Sequence, residues 1–195
     1  LTTHSLAQVG LQVGCNLTNY RYVKSGTHLK RSMAASYNFA LMFRTPTRHV
    51  SVQPTLLYTR KGAINNDNSA NYNISMYKNK LEYLEFSAPV ILKAELEGKK
   101  NTFDIGVGPY VAKLLSAKSK IEYLYDSSRT TSFKIGDAKT DDFKPIDYGL
   151  SFYMGIKVTH FQMNMGYDLG LANVDPRANE SIKNRCFSFN IGVFF

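Results

Sequence analysis

A chain of 195 residues is long enough for one domain with a real interior and too short for two comfortable ones. With 44% hydrophobic and 20% charged residues it is not a disordered chain, and no run approaches the roughly 18 apolar residues of a transmembrane helix. A helical membrane protein is excluded, and the formal charge of +9 speaks of long-range attraction rather than of fold.

Taken in chain order, the segments alternate with a period of two, the signature of strands with one apolar face. Val9, Leu11, Val13, Cys15 and Leu17 alternate with Gly10, Gln12, Gly14 and Asn16. Tyr37, Phe39, Leu41 and Phe43 follow, then Val50, Val52, Leu56 and Tyr58, then Leu84, Phe86, Ala88, Val90 and Leu92, then Phe103, Ile105, Val107 and Val111. The last three are Tyr148–Val158, Met163–Leu171 and Phe187–Phe195. Eight strands are predicted. Short links (Arg44–Arg48, Leu96–Asn101, the reversal at His160) alternate with long polar ones (Thr18–Arg31, Lys61–Lys80, Ser116–Asp142, Ala172–Lys183). An even number of antiparallel strands with one trimmed and one elaborated rim is the pattern of bacterial outer-membrane barrels.

The second face decides between such a barrel and a soluble lipocalin-like one, because a soluble barrel turns a charged, solvated face outward. Here that face is mostly Gly, Ser, Asn, Gln and Ala with sparse charges. This reads as a crowded lumen, and the bulky set then faces lipid. Glu85, Lys93, Asp104, Tyr110, Asp147, Tyr153, Lys157 and Asp168 are expected inside as a polar network, with acids and bases paired across strands, since a half-satisfied network is destabilising. Aromatic girdles are expected at the two interfaces: Phe43, Phe103, Phe161 and Phe195 by the short turns, Tyr20, Tyr22, Tyr58 and Tyr148 by the long links. Pro54, Pro89 and Pro109 lie inside strands, where a missing donor predicts local bulges.

The blocks Gly10–Tyr20, Ser51–Gly62, Tyr83–Lys93, Gly106–Lys118 and Tyr167–Val174 resemble the Bacteroidetes-type outer-membrane protein β-barrel domain family, whose members are often labelled porin-family proteins. The resemblance implies an all-β, eight-stranded antiparallel up-and-down transmembrane β-barrel over residues 1–195 as one domain, in the outer membrane of a Gram-negative bacterium. It transfers no catalytic residue. Phe195 on a final apolar strand is similar to the C-terminal signal read by the barrel-assembly machinery. The start at Leu1 is read as a form from which a signal peptide has been removed.

Chemistry-bearing groups are sparse. His4, His28, His49 and His160 are scattered, and neither a phosphate loop nor metal-ligand spacing occurs, so no enzyme activity, metal or cofactor is expected. A lipid-modifying site built on His28 and a loop serine is the enzymatic alternative. Arg21, Lys24, Lys30 and Arg31 form a basic cluster in the first long link, suited to the phosphates of lipopolysaccharide or simply solvated. Nucleic acid is not an expected partner, since no polar sheet surface is left for stacking bases. Parity opposes a Cys15–Cys186 disulfide, with Cys15 outward and Cys186 inward.

The expected protein is therefore a monomer held in outer-membrane lipid and lipopolysaccharide. It acts as a structural or surface-interaction protein through its long loops, by way of a ligand or partner the sequence does not name. The alternatives are a small channel and, less well supported, a soluble ligand-binding barrel.

Overall fold

The computed structural model describes residues 8–24, 26–29, 32–65, 74–96, 101–123, 128–177 and 180–195. Strands account for nearly all of them: β1 (Gln8–Lys24), β2 (Thr27–Leu29), β3 (Ser32–Arg44), β4 (Val50–Val52), β5 (Thr55–Asn65), β6 (Ile74–Ser87), β7 (Val90–Glu95), β8 (Asn101–Tyr123), β9 (Arg129–Ser132), β10 (Ile146–Val158), β11 (Phe161–Gly170) and β12 (Glu180–Phe194). The ladder runs β1, β3, β5, β6, β8, β10, β11, β12 and back to β1, every pairing antiparallel. This is a closed ring of eight. Closure leaves the ring no open edge, so its backbone N–H and C=O groups can pair inside the sheet, as a lipid environment demands.

The interior prolines do not bulge the wall. Val50 pairs Leu92 and Thr55 pairs Ser87 in one register on either side of Pro54. Across Pro89, Ser87 pairs Tyr110 and Val90 pairs Val107, again without a shift. Thus β4 continues into β5 and β6 into β7. Proline's fixed φ suits an extended strand and removes one donor only, while the proline carbonyls stay in the ladder: Phe43 N donates to Pro54 O (2.8 Å), Gln53 N to Pro89 O (3.0 Å) and Ala88 N to Pro109 O (3.2 Å). The register shifts lie elsewhere, between Met33 and Asn38, Ile74 and Met76, and Glu82 and Tyr83.

The wall is inside-out. Phe39 is 51% and Ile191 57% exposed, whereas Gln53 is 3% and Asn164 6% exposed. The outward apolar belt is about nine residues tall, Val9 to Leu17 on β1 and Leu84 to Leu92 on β6 and β7, close to the roughly 9–11 residues a tilted strand needs to span the hydrocarbon.

Two expectations are corrected at the outer end. The predicted long links are in large part strand, because β1, β5, β6, β8 and β12 all run past the belt. The upper interior is also not polar: Tyr20, Leu81, Tyr83, Leu114, Phe143, Val174 and Ile182 pack there as a buried cluster. Tyr20 therefore points inward with its parity mates Asn16 and Thr18, and Tyr22 is partly buried; neither belongs to a lipid-facing girdle.

Candidate functional site

The interior side chains come from alternate positions of all eight ring strands and gather into three layers. At the short-turn end Arg44, the last residue of β3, is 1% exposed and at the hub. Its guanidinium donates to Gln53 Oε1 (2.8 and 2.5 Å), Asp104 Oδ2 (2.8 Å), Gln162 Oε1 (2.9 Å) and the Tyr153 hydroxyl (3.3 Å), and lies 5.0 Å from the Phe194 ring centre. Lys93 Nζ donates to Thr47 O (2.8 Å) and Lys157 Nζ to Gln8 Oε1 (2.9 Å) at the same end.

The middle layer is neutral. Asn16 donates to Thr59 Oγ1 (2.8 Å), Asn38 to Asn16 Oδ1 (2.6 Å) and Asn190 Oδ1 (2.9 Å), Asn190 to Asn164 Oδ1 (2.8 Å), and Asn164 to Gln12 Oε1 (2.8 Å). This amide chain crosses β5, β1, β3, β12 and β11. Gly14 makes room for it, since a Cβ there would overlap the Asn190 amide. The cavity beside the chain measures about 70 Å³, space for a few waters and not for a solute.

At the outer end Lys61 on β5, also buried, meets three carboxylates: Glu85 Oε2 at 2.7 Å, Asp168 Oδ2 at 3.5 Å and Asp147 Oδ2 at 3.9 Å. Its ammonium lies 4.4 Å from the Tyr110 ring centre and 5.7 Å from that of Tyr83. Asp147 accepts from Asn184 (2.8 Å) and the Tyr110 hydroxyl (3.2 Å), and Asp168 from Ser151 (2.7 Å). Ion pairing across strands thus takes the form Arg44–Asp104 and Lys61–Glu85. Among the described residues, one oxygen each of Asp104 and Asp147 has no hydrogen-bond partner.

Of the eight residues expected inside, Glu85, Asp104, Tyr110 and Asp147 are buried and Lys93, Tyr153, Lys157 and Asp168 partly buried; the two hubs, Arg44 and Lys61, were not among them. Arg44 abuts the first short turn and Lys61 opens a segment read as a loop. The available signal was the continuation of the inward series Ala40, Met42, Arg44 and of Thr59, Lys61.

Above this layer the fourth long link closes the mouth. Lys144 N donates to Val174 O and Val174 N to Ile182 O, which seats Val174 in the apolar cluster. Asp175 clasps Arg177 through Nε (2.9 Å) and Nη2 (2.6 Å), and Arg177 reaches Glu180 (3.0 Å). Burial raises the Asp175 carboxyl, but the hydrogen bonds from Arg177 outweigh it and leave the pKa below the ordinary value. The same contact with Asp175 raises Arg177.

The basic residues expected in the first long link are redistributed. Arg21 and Lys24 lie on β1, Arg21 opposite Lys183 and Lys24 within 3.3 Å of Glu180; Lys30 and Arg31 fall outside the described residues, as does His4. His49 and His160 are exposed at the short-turn end. Among the expected interface aromatics, Phe43, Phe161 and Phe195 are exposed and Phe103 partly buried at the short-turn end, while Tyr148 is exposed and Tyr58 partly buried at the other. Both cysteines are free, Cys15 exposed and Cys186 buried.

A closed antiparallel ring of eight, oily outside and hydrogen-bonded within, defines a transmembrane β-barrel. The family model for the outer membrane protein beta-barrel domain matches residues 4–175, and the chain belongs to that family. The protein is accordingly one of the bacterial outer membrane.

Three solved structures are similar in shape. Ail, the attachment invasion locus protein of Yersinia pestis, has a TM-score of 0.47 and 10% identity over 97% of this chain and 99% of that one. Ail in complex with the heparin analogue sucrose octasulfate gives 0.46 and 10% over the same shares. The N-terminal β-barrel domain of Pseudomonas aeruginosa OprF gives 0.41 and 10% over 97% and 100%. At such identities and scores the likeness assigns neither ligand nor role to this chain. No curated protein matches the sequence.

Proposed function

We propose that this protein is a non-enzymatic surface-interaction element: the barrel anchors, its lumen is plugged, and the polar sheet standing above the outer leaflet makes the contact. The observation that carries the reading is the overrun of the strands. The outward apolar residues of β8 end at Leu115, yet the strand continues to Tyr123 and is paired there by β6 on one side and β9 on the other. Eight further residues at about 3.4 Å each carry the sheet well clear of the hydrocarbon. Every described residue of β9 is exposed.

The interior residues act in this reading as a structural plug, Arg44–Asp104 below and Lys61–Glu85–Asp147–Asp168 above, and so weigh against the small-channel alternative. The ring closes within one chain, in keeping with a single-domain monomer. Phe195, exposed beside the last strand, suits recognition by the barrel-assembly machinery, and the sequence blocks named above favour a Bacteroidetes-type member. Arg21, exposed toward the outer end of β1, has the charge to meet lipopolysaccharide phosphates.

Replacing residues 120–130 by Asn-Gly would join Ser119 to Thr131 through a two-residue hairpin turn, since those two already pair. Bacteria carrying the full protein should adhere to matrix-coated plates more than bacteria carrying the trimmed one, with both barrels keeping their heat-modifiable gel mobility. Equal adhesion would refute the reading. Stepwise ion conductance in planar bilayers would replace it with the channel.

A further inference from the structure

The outer hub holds more acid than base. Lys61 is the one basic side chain among the described residues of that layer, and it faces Glu85, Asp147 and Asp168. Three carboxylates against one ammonium leave two negative charges in excess. Lys61, Glu85 and Asp147 are each at most 2% exposed, and charge taken out of water without a partner is costly.

Donors reach only part of this acid. Ser151 donates to Asp168, Lys61 to Glu85, and Asn184 and the Tyr110 hydroxyl both to Asp147 Oδ2. Asp147 Oδ1 is left with no donor. Among the described residues two more buried polar atoms of this region are unmatched, Asn184 Oδ1 and the Tyr20 hydroxyl, on residues only 1% and 7% exposed.

The three oxygens belong to one place. Tyr20 and Asn184 stand directly opposite each other on β1 and β12, and both are buried within the barrel. The Asn184 amide is fastened through its nitrogen, which donates to Asp147 Oδ2 (2.8 Å) and to the Tyr83 hydroxyl (3.2 Å). Its oxygen, on the same amide carbon, therefore stays beside that carboxylate. The Tyr20 hydroxyl is within electrostatic reach of Asp147 and Tyr83. Over them Leu81, Phe143, Val174 and Ile182 pack as the apolar seal.

Buried polar oxygens are rarely left unmatched, and each one that is calls for a water or an ion. Water would satisfy these three and leave the excess charge as it was. A cation does both. The oxygens are those a hard ion takes, a carboxylate, an amide carbonyl and a phenol, with neither thiolate nor imidazole among them. They also limit its charge. Calcium gathers about six to eight oxygens and magnesium about six in strict octahedral array, whereas this place offers three side-chain oxygens and one carboxylate. The Lys61 ammonium, 3.9 Å from Asp147 Oδ2, further opposes a doubly charged neighbour.

We infer that Asp147, Asn184 and Tyr20 hold a sodium ion beneath the apolar seal, which completes the outer hub. Because the seal closes over it, the ion is taken up as the barrel folds. The site is independent of the adhesive role proposed above.

The test folds the full protein into neutral phosphatidylcholine vesicles and unfolds it in urea, once in sodium chloride and once in N-methylglucamine chloride of equal ionic strength, whose cation is too large for the site. The folded-to-unfolded ratio should be about tenfold or more higher in sodium, the gain for a ligand that binds only the native state at about ten times its dissociation constant. D147N should lose the sodium effect. Y20F, which keeps the ring and removes the oxygen, should show a smaller one, and it provides the reading if D147N fails to fold. E82Q, which alters an acid paired with Arg60 on the outer wall, should keep the effect in full. Equal stability of the wild type in the two salts would overturn the site and leave the three oxygens to water. So would a sodium effect of wild-type size in either D147N or Y20F.

Discussion

The two ends of the lumen solve the same problem with opposite charge. At the short-turn end there are three cations to one buried carboxylate: Arg44 pairs Asp104, while Lys93 and Lys157 donate to Thr47 O and Gln8 Oε1; at the outer end one cation, Lys61, is shared by Glu85, Asp147 and Asp168. The lower excess is met by neutral dipoles. Arg44 spreads its fixed fork over Gln53, Gln162 and Tyr153, something a point charge cannot do, and Lys93 and Lys157 are only half-buried. The upper excess is met by donors on the acids themselves, Ser151, Asn184 and Tyr110, around an ammonium flanked by two rings. Between them lies an uncharged amide layer, so the two imbalances are kept apart. The comparison teaches that a buried network is judged by how each charge is hydrogen-bonded, and net charge within a layer is secondary.

The largest test is to remove each hub. Lys61→Met leaves three carboxylates facing one another with no cation, and should destabilise the barrel by about 3–5 kcal/mol in urea unfolding from lipid vesicles, the range for orphaning a buried charge. Arg44→Met should cost less, because Lys93 and Lys157 stand near Asp104. Equal losses would break the comparison. Next in size, Arg44→Lys keeps the charge and loses the fork, and about 1–3 kcal/mol should go with the unsatisfied Gln53 and Gln162 acceptors; a neutral outcome would mean the charge alone matters at that end. Asn38→Ala tests the partition layer, with about 1–2 kcal/mol expected from the two amide bonds it donates, measured in the same unfolding assay.

The smallest effect lies outside the membrane. The Asp175 carboxyl is held below its ordinary pKa, so the stability it contributes is present above the unfolded value near 4 and is lost as pH falls through the lower folded one. Because Arg177 is 48% exposed, no more than about 0.2–1 kcal/mol is expected. Hydrogen exchange at the Arg177 amide, which Asp175 also holds at 2.9 Å, should become less protected on acidification below pH 4. Asp175→Asn should remove that pH dependence, and an unchanged profile would show that the clasp does not titrate there.

The parity of Leu11, Phe39, Leu84 and Ile191 was readable without coordinates, as was the inward set of Glu85, Asp104 and Asp147, because a strand repeats every two residues wherever it lies. The partners were not readable. Arg44 and Asp104 are 60 positions apart and Lys61 and Glu85 24, and nothing local states which inward residue shares a layer with which. The prolines misled for a related reason. A missing donor predicts a disturbance, but the neighbouring strands kept the register through Pro54 and Pro89. The apolar seal at the mouth was hidden because Phe143 and Val174 sit in irregular segments that have no period.

Alternation and link lengths, read from the chain alone, determined an eight-stranded barrel with its oily side outward, since those depend only on the pleat of each strand and the solvent it meets. Ring closure and the stagger between neighbours decided the rest: two charged hubs and the amide layer between them. Register is a property of pairs of strands, so which side chains meet across or within the wall is fixed only when all eight are assembled.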